Sequence, residues 1–101
     1  MPGPPIVSIH AVRRFGERAL GCRDLDPSDP VALGQMRTVY NLDTGVIEAL
    51  LAAIVHSGVE AGAASVKFGR HRYMLSGRVL TTVLNIPKPR RRRRIVDREA
   101  D

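Results

Sequence analysis

Apolar residues at Val46, Ile47, Leu50, Leu51, Ile54 and Val55 recur with a period near 3.6, so the sequence predicts a helix over this stretch. Ala49, Ala52 and Ala53 fill most of the remaining positions and leave Glu48, His56 and Ser57 as the polar ones. Asp43 or Thr44 supplies an oxygen for the free amides of the first turn, and Gly58 offers a C-terminal stop. A helix apolar on all sides is either central to the fold or shared with a second subunit. A chain of 101 residues has few elements to wrap it, which favours a homodimer.

Elsewhere the pattern alternates. Ile6 to Arg13 is β-branched and predicts a strand, with Phe15-Gly16 as the turn after it. Arg18 to Gly34 holds Asp24, Asp26, Asp29, Pro27 and Pro30 and reads as a loop, because the residue before a proline is pushed out of helical backbone. Its three Asp could meet a basic surface, the protein's own tail included. Gln35 to Leu42 alternates enough for a second strand. Ser65–Phe68 and Arg72–Leu75 flank Gly69-Arg70-His71 as a hairpin, and Gly77-Arg78 turns the chain into Val79–Ile86, where β-branched content favours strand over helix. The expected fold is α+β: a small, mostly antiparallel sheet packed on one central apolar helix, with a flexible basic C-terminal arm. Residues 1–5 are a Pro/Gly-rich disordered start, 6–87 one domain and 88–101 the arm. There are too few βα units for a doubly wound or barrel architecture.

Charge changes the picture at one end. Residues 1–87 hold nine Lys/Arg against seven Asp/Glu, whereas residues 88–101 hold seven against three, so most of the net +6 sits on the tail. Lys88, Arg90, Arg91, Arg92, Arg93 and Arg94 follow Pro87 and flank Pro89. Five consecutive arginines repel one another and must be solvated or paired. Arginine's planar fork binds phosphate bidentately, and a run of them releases counterions from a polyanion, giving salt-dependent and non-specific affinity. The same string resembles a nuclear localisation signal, which fills acidic grooves of an import receptor. A second basic group, Lys67, Arg70, Arg72 and Arg78 with His71, centres on the hairpin and could lie along a phosphate backbone; as ordinary chemistry it is a charged edge that blocks aggregation. Arg13, Arg14 and Arg18 would extend it only if the first strand lay beside the hairpin.

Other chemistry is thin. His10, His56 and His71 lie far apart and lack metal-ligand spacing, so no metal or other cofactor is expected. Cys22 is a lone thiol, unable to form an internal disulfide, and points to a reducing compartment. No phosphate-cradling glycine loop occurs; Gly58 and Gly62 form a GxxxG read as a turn, and catalysis is not expected. The chain starts without a signal-peptide pattern, and its longest apolar stretch is about half the ~20 residues that span a bilayer. The reading is an intracellular (nuclear in a eukaryotic host, otherwise cytoplasmic) accessory or regulatory protein of viral, phage or plasmid type that binds RNA or DNA through its Arg-rich arm. The alternative is an oligomeric protein-interaction module whose tail is an import signal alone. Acidic lipid ranks last as a partner, since Ile95-Val96 is a feeble apolar anchor.

Overall fold

The computed structural model describes residues 4–87. Seven elements follow in order: β1 (Ile6–Val7), α1 (Ile9–Ala19), α2 (Asp29–Thr38), α3 (Thr44–Glu60), β2 (Ser65–Phe68), β3 (His71–Ser76) and β4 (Val79–Asn85). The protein is a small α+β fold with three helices on a four-stranded mixed sheet in the order β1-β4-β3-β2. β2–β3 and β3–β4 are antiparallel, and β1 joins β4 in parallel, Ile6 opposite Val79. The basic arm, from Lys88 onward, lies outside the described residues.

The hairpin, the last strand and the long helix fall where the pattern places them; the first half of the chain does not. The strand expected over Ile6–Arg13 stops at Val7, because Ser8 caps a helix. Its Oγ accepts from the Ala11 amide at 3.0 Å and donates to the Thr81 carbonyl at 3.2 Å. Phe15-Gly16 is therefore the interior of α1 rather than a turn, and Ala11, Val12, Phe15 and Gly16 form its buried stripe. The expected Arg18–Gly34 loop ends early, since Pro30 sits in the first turn of α2, where its missing N–H costs nothing. The strand expected over Gln35–Leu42 is mostly the rest of α2, which buries Ala32, Leu33 and Met36 at helical spacing. One central helix is thus replaced by three.

Asp43 caps α3 as expected, its Oδ1 accepting from the amides of Gly45 and Val46 at 3.0 and 3.1 Å. The helix runs past Gly58 to Glu60 and stops at Gly62, whose φ of +73° suits a residue without a Cβ. Gly58 serves packing instead: its bare Cα faces the Val66 side chain of β2. α1 lies over β4, and α3 reaches both edge strands, β1 and β2. Leu51, Val55, Tyr73, Leu80, Val83 and Met36 fill the space between helices and sheet. A register shift at Met74/Leu75 keeps both Leu80 and Val83 of β4 pointed into this core. The other sheet face, which carries Lys67, Arg72, Met74, Thr82 and Leu84, has no helix on it among the described residues.

α3 is not wrapped all round. Ile47, Leu51, Val55 and Val59 are buried, whereas Val46 and Leu50 are 62% and 47% exposed beside exposed Ala49 and Ala53. No helix among the described residues is long and apolar enough to cross a membrane.

Candidate nucleic-acid interface

Strand register decides which basic side chains can act together. Tyr73 is buried under the helices, so His71, two residues earlier, stands on the same face, as do its partners Phe68 on β2 and Asn85 on β4. Here the helical cover ends. The last turn of α1 brings Arg18 and Ala19 alongside, and Arg70 with Ile86 closes the rim, the Ile86 amide donating to the Arg70 carbonyl at 2.9 Å. The result is an open groove of about 420 Å³ lined by Arg18, Ala19, Arg70, His71, Asn85 and Ile86. Its lining holds two guanidinium groups, an imidazole and a carboxamide, and no carboxylate among the described residues.

His71 Nε2 lies 3.4 Å from the Arg18 carbonyl, and the His71 ring stands edge-on to Tyr73 with centroids 6.3 Å apart. These contacts fix the imidazole between the end of α1 and the core. Burial holds the Tyr73 phenol above its ordinary range, so it stays neutral and structural. Arg18 Nε is buried and has no hydrogen-bond partner among the described residues.

The other basic residues named from sequence spread out. Lys67 and Arg72 are paired across β2 and β3 on the helix-free face, where Arg72 donates to Ser65 Oγ at 3.1 Å. Arg78 stands at the far end of β4, donating to the Pro4 carbonyl at 2.8 Å. Of the hairpin cluster, Arg70 and His71 alone reach the groove. Lys88 and Arg90–Arg94 lie outside the described residues, although the sequence places Lys88 two positions after Ile86 on the groove's rim.

Arg13 and Arg14 are spoken for. Arg13 donates to Asp29 Oδ1 at 3.0 Å, to the Pro27 carbonyl at 3.0 Å and to Glu17 Oε2 at 3.3 Å; Arg14 donates to Glu17 Oε1 at 2.9 Å. Asp29 therefore pairs within the folded body, with Arg13 and with His10 Nδ1 at 3.1 Å. His56 meets Glu60 at 3.3 Å one turn on in α3. Arg18, which the sequence adds to the hairpin cluster only if a first strand lies beside it, does reach the hairpin, but from the helix Ile9–Ala19 that sequence reasoning missed. The signal was available: Arg13 and Glu17 at i, i+4 and apolar residues at 11, 12, 15 and 19 outweigh an eight-residue alternation. The chain matches no family model, no curated protein and no solved structure.

Proposed function

We propose that this protein binds nucleic acid, RNA or DNA, with the groove at Arg18, Arg70 and His71 as its fixed phosphate contact and Lys88–Arg94 as a polycationic extension of it. The supporting observation is the groove itself: two arginines and a histidine converge with no acid between them, at the point where the chain passes into its Arg-rich stretch. Guanidinium groups at such a place donate to phosphate oxygens, and the arginine run adds affinity that scales with the phosphates neutralised. The role is that of a binding or regulatory protein, not a catalyst.

The test is a mobility-shift series on a generic oligonucleotide at two salt concentrations. The intact chain should bind with a steep salt dependence. Deleting residues 88–101 should flatten the slope, and the pair Arg18→Ala/Arg70→Ala should lower it further by about two. Binding that is indifferent to salt, or untouched by both changes, overturns the reading.

A second reading rests on the exposed apolar face of α3. Val46 and Leu50, with Ala49 and Ala53, would be covered in a homodimer, and the tail would then serve as an address for nuclear import. On this reading Leu50→Glu dissociates the dimer in sedimentation. Replacing Arg90–Arg94 by alanine relocates the protein in cells while oligonucleotide binding stays as it was.

A further inference from the structure

We infer that the groove takes a nucleotide unit of a single strand: the phosphate lodges at Arg18, Arg70 and His71, and the adjoining base stacks on Phe68. The inference rests on the nucleic-acid reading above and narrows it from polyanions in general to strands with unpaired bases.

Phe68 is the observation that adds the base. It ends β2 directly opposite His71, on the helix side of the sheet, yet lies beyond the helices and is 57% exposed. The chain has two Phe; Phe15 is core, whereas Phe68 stands in solvent beside the basic groove. Directly paired cross-strand side chains lie about 4.5–5.5 Å apart at Cβ, so Phe68 and His71 can meet neighbouring parts of one ligand. A bare aromatic ring beside guanidinium groups is the combination single-strand binders use, because every base has a face to stack and every link a phosphate to pair. In a duplex the base faces are already stacked on their neighbours and Phe68 has nothing to receive.

The groove supplies the phosphate half. Arg18 is partly dehydrated before any ligand arrives, its Nε buried without an acceptor among the described residues. An anion beside it therefore meets a cation that has already lost part of its water shell. The volume, about 420 Å³, is in the range of small-ligand sites, enough for one nucleotide unit.

The experiment is fluorescence anisotropy of the full chain with a labelled twelve-nucleotide oligothymidylate, alone and hybridised to its complement, at two salt concentrations. The single strand should bind the more tightly. Phe68→Ala should weaken it by about tenfold or more, leaving duplex affinity and the salt slope unchanged, while Phe68→Tyr keeps the affinity. Arg18→Ala should weaken both forms and lower the slope by about one. Phe68 fills no core space, so an unchanged melting temperature should certify that its variant is folded. Equal binding of the two forms, or a Phe68→Ala chain that holds the single strand like the parent, overturns the stacking site while leaving phosphate binding intact. Absence of salt-dependent binding to either form overturns the parent reading as well.

Discussion

Arg13 on α1 and Asp29 at the start of α2 are joined by a 3.0 Å hydrogen bond, and the Arg13 side chain is only 11% exposed. The pair, braced by Glu17 and joined by the His10–Asp29 contact, clamps the two helices together. Burial works against the charge on Arg13, but Asp29 and Glu17 outweigh it and leave its pKa raised; Arg13 in turn holds the Asp29 carboxyl below its ordinary range, with help from His10. A carboxyl depressed in the fold adds stability that is complete above the unfolded value near 3.9 and drains away as pH falls through the folded one. Urea titrations from pH 7 downward should show stability falling below about pH 4, and Asp29→Asn should blunt that fall. At pH 7 the same variant should lose about 1–2 kcal/mol, since it weakens a charge-assisted hydrogen bond while Glu17 and the Pro27 carbonyl still hold the guanidinium.

Ser8 does two jobs with one hydroxyl, accepting at the start of α1 and donating to Thr81 on β4. Ser8→Ala should cost about 1–2 kcal/mol. Ser8→Asp keeps the cap and loses the donor to the Thr81 carbonyl, and Ser8→Thr keeps both. Chemical denaturation should rank them Thr, then Asp, then Ala in decreasing stability.

Two helical glycines should respond oppositely to alanine. Gly34 in α2 has open space where a Cβ would stand, so Gly34→Ala should gain about 0.5–1 kcal/mol from helix propensity. In Gly58→Ala the new methyl meets the stiff Val66 side chain. The expected overpacking cost of about 1–3 kcal/mol exceeds the propensity gain. A stabilised Gly58→Ala would show that α3 and β2 can separate cheaply.

Cys22 is 4% exposed, and burial, with Glu17 nearby, raises its thiol pKa. Iodoacetamide should label it slowly in the native protein at pH 8 and rapidly in urea, with the native rate tracking global unfolding.

The second half of the chain was legible because its signals are local: a 3.6-period stripe with Asp43 before it, and two turns marked by Gly69 and Gly77. The first half misled for a physical reason. Ile6–Arg13 holds β-branched residues that suit either state, and the helix declares itself only in the Ser8 cap and in apolar positions that run on beyond that window to Phe15 and Ala19. Pro30 weighed as a helix breaker is a helix starter when it falls in the first turn. The candidate site was half legible on the same grounds. Arg70 and His71 follow from a local hairpin, while Arg18 joins them only through the packing of α1 on β4.

The parallel pairing of β1 with β4 has a bearing on how the chain becomes a protein. β4 is the last strand among the described residues, yet it lies between β1 and β3 in the sheet and supplies Leu80 and Val83 to the core beneath α1. A nascent chain that has not yet released Val79–Asn85 from the ribosome holds a β2–β3 hairpin on α3, an α1 with no strand beneath it and a first strand with no neighbour. Assembly of this body is therefore deferred until β4 is released, and a message cut short before that point yields a polypeptide for proteases rather than a smaller working domain.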